Sequence, residues 1–401
     1  MSYEAPWWLP GGNVQTLWAA LHARRFSGPP PCFRRERWLT PDADFVDVDW
    51  VDDAPTLPTS CGSLPPEGAL RLRPGKAGSA APAGGGKAPV PHARSDSLAS
   101  EKVYLMPEEA GGAASSGGWS APALPAVGDL QRPLLVLFHG LEGSSGSHYA
   151  QAFADVAQRR GWACAVPHFR GCSGELNLAP RAYHSGDFAE IDWVLRCFAR
   201  KHAGPVVAVG VSLGGNALMR WAGEMGSRAA GLVSAVASVC APLDLAASGA
   251  AIGQGFNRQV YTRMFLKSMV PKALQKLVQH PGLFNRDTLL AARDLYAFDD
   301  VFTGPLHGFT GVDDYWKRAS ALPHLGGIGV PALVLNALND PFIPAASLPQ
   351  PGDVSRWVTL CQPKHGGHVG FPAAAFPAHV QAMPEAVLAF LAAQLTEPAS
   401  P

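Results

Sequence analysis

No stretch of this sequence reaches the roughly 18 consecutive apolar residues that a membrane-spanning helix needs. The N-terminal MSYEAPWWLPGGNVQTLWAALHARR lacks the basic segment, unbroken apolar run and small-residue cleavage site of a secretory signal. Net charge is also lacking: 32 Lys and Arg balance 32 Asp and Glu, which leaves no chain-wide footprint for a nucleic-acid backbone or an anionic membrane. The 7 cysteines form an odd set without CxxC spacing, and several lie in apolar runs where a reduced thiol is a small hydrophobe. These absences point to a soluble, cytoplasmic protein with no transmembrane segment and no nucleic-acid partner.

What is present is unevenly spread. The length of 401 residues would allow two or three domains, but 43 Gly and 37 Pro are concentrated enough to remove part of the chain from any core. Residues 1–51 are expected to form an N-terminal segment that joins the main sheet. Within it, DFVDVDWV alternates apolar and acidic side chains with the period of a half-buried strand. Residues 52–130 are rich in Ala, Gly, Pro and Ser, as in AGSAAPAGGGKAPVP, with only EKVYLM strand-like. So little apolar surface does not offset ordering entropy, and this stretch is expected to be a disordered excursion, with a partner-binding linker as the alternative.

From 131 to 401 the pattern is α/β. LLVLF, WACAVPHF, PVVAVGV, AGLVSAVASVC, PALVLNAL and RWVTLCQ read as strands, separated by helical segments such as HYAQAFADVAQRR and DFAEIDWVLRCFARK. Apolar strands without alternation imply a mostly parallel sheet with helices on both faces. The stretch from about 243 to 325 is too long for a structureless loop and reads as a helical cap inserted over the sheet edge.

Gly210-Val211-Ser212-Leu213-Gly214 is a G-x-S-x-G sequence between a strand and a helix, the setting of a nucleophile elbow with Ser212 at its tip. A serine hydroxyl is scarcely ionised at neutral pH, so it needs a base. Of 13 histidines, His368 in KHGGHVGF follows the last strand and is favoured over its neighbour His365. The acid that orients the imidazole is placed at Asp340, directly after PALVLNALN, with Asp244 at the end of an earlier strand as competitor. Oxyanion donors are expected at the backbone N–H groups of Leu213 and of Leu141, the latter in the Gly-rich loop after LLVLF.

PWWLPGGNVQTL, DFVDVDW, LFHGLEGSSGSHY, FRGCSGE, GVSLGGN, APLDL, PLHGFTGVDDYW, NALNDPFIP and GGHVGF, in this order, cover most of the chain outside 52–130. In them the chain resembles the YheT-like esterases of the α/β-hydrolase superfamily, relatives of the mammalian alpha/beta-hydrolase-domain lipid enzymes. The resemblance implies an α/β-hydrolase fold and a carboxylic-ester hydrolase with its triad on Ser212, Asp340 and His368. The chain departs from the family pattern at Asn339, where a second acid is common, and in the long Ala/Gly/Pro-rich excursion.

The expected partner is a small-molecule ester. Phe256, Tyr261, Phe265, Phe302, Phe309, Tyr315 and Trp316 in the cap suggest that its acyl portion is apolar. No cofactor and no metal is expected. An acyltransferase or thioesterase would use the same triad, and a catalytically silent binding fold would not need it. A metallohydrolase built on His365, His368 and Asp340 is disfavoured, because HGGH on a glycine loop is not the rigid two-histidine platform of a metal site.

Overall fold

The computed structural model describes residues 3–52 and 131–396. The stretch read as an excursion, with its EKVYLM segment, lies outside the described residues apart from Asp52. Among the described residues, eight strands form one sheet in the order β1-β2-β4-β3-β5-β6-β7-β8. They are β1 (Phe33–Leu39), β2 (Phe45–Val51), β3 (Leu134–Phe138), β4 (Ala163–Pro167), β5 (Val206–Val211), β6 (Ala235–Val239), β7 (Ala332–Leu335) and β8 (Val358–Cys361). Strands β3 to β8 run parallel, while β2 joins β4 and β1 joins β2 antiparallel.

Every residue of β3, β5 and β6 is buried, because helices cover both faces. Leu134, Val136 and Phe138 pack with Ile191 and Phe198 of α3 (Phe188–Lys201) and with Leu218 and Trp221 of α4 (Leu213–Met225). Leu135 and Leu137 pack on the opposite face with Phe153 of α2 (His148–Arg159) and Leu388 of α12 (Ala382–Thr396). Each such side chain contributes about 1.5–3 kcal/mol by leaving water. The mostly parallel, doubly covered α/β sheet is the fold expected from the apolar strands.

Two local readings need correction. Strand β2 is not half-buried: Asp47 and Asp49 are as covered as Val46 and Val48. The reason is β1, whose charged FRRERWL shows no strand period. It places Arg35 opposite Asp49 and Arg37 opposite Asp47. Each guanidinium grips its carboxylate with two hydrogen bonds, at 2.7 and 2.9 Å. Ser145 and His168 complete the cover of Asp49 at 2.6 and 2.8 Å. Burial alone would raise the Asp49 carboxyl, but Arg35 and His168 hold it well below the usual range. The second correction concerns AGLVSAVASVC, of which only Ala235–Val239 is strand, following a 3-10 turn over Gly226–Gly231.

Between β6 and β7 the chain forms α5 (Leu245–Ile252), α6 (Gly255–Asn257), α7 (Arg263–Gln279), α8 (Arg286–Ala291), α9 (Leu295–Phe298), α10 (Gly304–Leu306) and α11 (Val312–Ala319). Phe298, Phe302, Leu289 and Ala273 give part of this helical insertion a small core of its own. Near the start of the chain, α1 (Gly12–Leu21) buries Gln15, Thr16 and Ala19. No helix of the described residues is long and apolar enough to cross a membrane.

Candidate active site

Ser212 sits between the end of β5 and the start of α4 with φ 52° and ψ −119°, a backbone conformation that costs a residue with a side chain. Neighbouring glycines permit it. A Cβ on Gly210 would fall 2.6 Å from Gly215 Cα, and one on Gly214 would fall 2.5 Å from the His139 carbonyl oxygen. The turn is anchored by the Ser212 N–H, which donates to Val239 O at 2.8 Å. The hydroxyl therefore stands at the C-terminal edge of the parallel strands, over the N-terminus of α4, where partial positive charge gathers.

The imidazole of His368 reaches this hydroxyl. Its Nε2 lies 3.0 Å from Ser212 Oγ, and its Nδ1 lies 2.9 Å from Asp340 Oδ2. The second carboxylate oxygen of Asp340 accepts the Phe342 N–H at 2.8 Å, and the Phe342 ring packs on the imidazole with centroids 4.2 Å apart. Helix α1 holds the histidine loop from below. Thr16 Oγ1 accepts the His368 N–H at 2.8 Å, and Gln15 Oε1 accepts the Gly366 N–H at 2.9 Å. Asn339, the departure from the family pattern, accepts the Gly367 N–H at 3.0 Å and donates to Gln15 Oε1 at 3.0 Å. Gly367, at φ 63°, comes so near α1 that a Cβ would meet Gly12 O at 2.6 Å. Only a glycine tolerates that approach.

The loop after β3 is fixed by partners that motif reading missed. Gly140 N–H donates to Tyr149 Oη at 2.8 Å, Glu142 N–H to Tyr183 Oη at 2.9 Å, and Gly143 N–H to the Gly140 carbonyl at 2.9 Å. The N–H groups on either side of Leu141 are thus committed, two of them to tyrosines outside the loop, while Leu141 itself lines the cavity with Ser212, Leu213 and His368. His139 Nε2 accepts the Phe169 N–H at 3.1 Å, which leaves Nδ1 to donate to Gly140 O at 2.8 Å. Burial pushes this imidazole down to about 3, so it stays neutral and holds that tautomer.

The cavity over Ser212 is walled by apolar side chains of the helical insertion, among them Phe265, Phe298, Phe302 and Trp316. Of the seven aromatic residues suggested from sequence, Phe265, Phe302, Tyr315 and Trp316 line it. Tyr261 instead packs against Phe342, Phe309 packs against Tyr315, and Phe256 is exposed. The two rival residues stand elsewhere. Asp244 caps α5, its Oδ1 accepting the Ala247 N–H at 3.0 Å, and His365 is exposed. The structure brings a third group to Asp340 and His368, namely Cys240. Its sulfur accepts the Val369 N–H at 3.3 Å, and Cys240, Asp340 and His368 hold ligand atoms within 4.8 Å of one another. Burial pushes that thiol far up, and both imidazole nitrogens already have protein partners.

A family model described as the alpha/beta hydrolase fold matches residues 133–374. The chain is 41% identical over 244 residues to YheT of Escherichia coli (strain K12), which carries the name of an esterase; the alignment covers 60% of this chain and 71% of that protein. It is 29% identical over 245 residues to human phospholipase ABHD3, with 60% and 59% covered. To medium-chain fatty acid ethyl ester synthase/esterase 2 of Saccharomyces cerevisiae it is 27% identical over 275 residues, with 62% and 60% covered. This chain therefore spans less than two thirds of the human and yeast proteins. The family match takes in most of the parallel sheet, the serine turn and the loops of Asp340 and His368, and this chain belongs to the alpha/beta hydrolase fold family.

Proposed function

We propose that the chain is a serine hydrolase that cleaves carboxylic esters through an acyl-enzyme intermediate. The observation that carries this reading is the continuous line of hydrogen bonds from Ser212 Oγ through His368 to Asp340, opening on an apolar cavity. The names of the relatives, an esterase, a phospholipase and an ester synthase/esterase, support the same reaction class.

In this mechanism His368 Nε2 takes the proton of Ser212 as Oγ attacks the ester carbonyl. Asp340, with both oxygens occupied, keeps the other imidazole proton on Nδ1 and stabilises the imidazolium that forms. The negative charge that develops on the carbonyl oxygen is met by the Leu141 and Leu213 N–H groups and by the N-terminal end of α4, a contribution worth about 3–4 kcal/mol per well-aimed donor. His368 then returns the proton to the leaving alcohol. Water, activated by the same imidazole, resolves the acyl-enzyme. Every step uses side-chain and backbone groups of this chain.

The helices between β6 and β7 act as a cap, and the cavity they wall fits an ester with an apolar acyl portion. Esters of one alcohol with rising acyl length are expected to show kcat/KM rising until the chain outgrows the cavity. A panel without dependence on acyl length contradicts the acyl-pocket reading. The name of the yeast relative, an ethyl ester synthase as well as an esterase, also favours a second reading, in which an alcohol in place of water accepts the acyl group. Product analysis with added ethanol separates the two: fatty acid alone means hydrolysis, and ethyl ester means transfer.

A further inference from the structure

Glu142 follows Leu141 in the loop after β3 and adopts φ 56°, where a side-chain-bearing residue persists only if its surroundings hold it. The Tyr183 hydroxyl does so by closing on the residue from two sides, accepting the Glu142 N–H at 2.9 Å and donating to Glu142 Oε1 at 2.9 Å. Tyr183 is itself stacked on Phe169, with centroids 5.5 Å apart and planes at 13°. Desolvation pushes the phenol of Tyr183 far up, so it stays protonated and keeps both roles. The other carboxylate oxygen, Oε2, pairs with Lys272 Nζ at 2.9 Å. Lys272 belongs to α7, in the helical insertion. All three side chains line the cavity that holds Ser212 and His368.

This chain of contacts has a consequence for the Leu141 N–H. The peptide preceding Gly140 is fixed by Tyr149 and the peptide preceding Glu142 by Tyr183; the peptide between them, which carries the Leu141 N–H, is held at its Gly140 carbonyl by His139 and Gly143 and takes its remaining orientation from the two clamped flanks. Lys272 ties the second clamp to a helix across the cavity. We propose that Tyr183, Glu142 and Lys272 are positioning residues through which the helical insertion sets the aim of the Leu141 N–H, so that the oxyanion site is complete only when α7 is seated. The inference rests on the serine-esterase reading above. It adds to that reading a physical link between the substrate-covering helices and the rate of the acylation step. A donor displaced by about 1 Å loses much of its value to the transition state while scarcely altering substrate affinity.

The test compares wild type, Tyr183→Phe, Lys272→Met and Lys272→Arg in the full chain, each with p-nitrophenyl acetate and with a long-chain p-nitrophenyl ester. The short ester is too small to lean on the insertion. Expected is a fall in kcat of about 10- to 100-fold for Tyr183→Phe and about 5- to 30-fold for Lys272→Met on both esters, with KM changed less than about 3-fold. Lys272→Arg, which keeps the charge, recovers most of the loss, and thermal midpoints stay near wild type for both Lys272 variants. A rise in KM confined to the long ester, with kcat on acetate intact, overturns the proposal by making Lys272 a substrate contact. Full activity of Lys272→Met on both esters overturns it too. Ser212→Ala run in parallel separates the two levels. Turnover undiminished without Ser212 overturns the esterase reading and the positioning role together, whereas Ser212-dependent turnover that ignores Lys272 and Tyr183 overturns the positioning role alone.

Discussion

The backbone N–H of His368 donates to the Thr16 hydroxyl at 2.8 Å, across 352 positions of sequence. Thr16 Oγ1 in turn donates to Gly12 O at 2.7 Å, so the helix nearest the start of the chain fixes the loop that carries the imidazole. Thr16→Val keeps the shape and removes both bonds. It is expected to lower kcat about 10-fold and stability by about 1–3 kcal/mol, the cost of a covered N–H left without a partner. Ester turnover and urea unfolding of the one variant check both; an unchanged kcat would mean the loop holds its own shape.

Asp340 and Asp244 both follow strands, yet they do different things in the structure. Asp340→Asn is expected to preserve the fold and lower turnover by about 10³- to 10⁴-fold, since the amide favours the wrong imidazole tautomer. Asp244→Asn should change turnover little, because asparagine caps a helix as well as aspartate does. Both variants measured on one activated ester, with circular dichroism as the folding control, decide it. A large loss confined to Asp244→Asn would move the acid to the earlier strand.

The elbow tolerates no side chain at Gly210, where a Cβ would fall 2.6 Å from Gly215 Cα. Gly210→Ala is therefore expected to destabilise the fold by about 1–3 kcal/mol or more and to remove turnover with it. Gly231→Ala is the control, because a Cβ there meets nothing within 4 Å. Thermal denaturation of the pair should show a lowered midpoint for the first alone.

Asp299 lies in the cavity wall, where burial pushes its carboxyl from 3.8 to about 6 against the pull of its bonds from Thr303 and Trp316. A carboxyl with a raised folded pKa lends stability that is full below its unfolded pKa and is lost as pH rises through the folded one. The window here runs from 3.8 to about 6. The thermal midpoint of Asp299→Asn should accordingly gain on wild type as pH climbs through that window, then hold its lead at neutral pH. A difference that stays flat from pH 4 to 7 would show that Asp299 ionises without penalty.

What was legible in the sequence was what local chemistry determines. Gly210 and Gly215 mark a tight turn because the backbone collision they avoid is with each other, five positions apart, whereas Gly214 makes room for the distant His139 carbonyl, which no local pattern announces. The apolar runs LLVLF and PVVAVGV mark buried parallel strands because both faces of the sheet are covered. The face of β2 was misread because its cover comes from Arg35 and Arg37, and a pairing of charges across strands leaves no period in either strand alone. The supports of the site were illegible for the same reason at longer range. Gln15, Thr16, Tyr149 and Tyr183 act on backbone groups of other loops, and a side chain's hydrogen bond to a distant main chain places no demand on the neighbouring residue types. Asp340 and Asp244 have similar local settings, and only the spatial meeting with the His368 loop separates them.

The proposed role of Ser212 as nucleophile is measured directly by labelling with a fluorophosphonate probe followed by mass-spectrometric mapping of the modified peptide. One adduct is expected, on Ser212, formed by the wild type and absent from Ser212→Ala, with ester turnover lost in step with labelling. An alanine variant that still takes up the probe and still hydrolyses esters would contradict it.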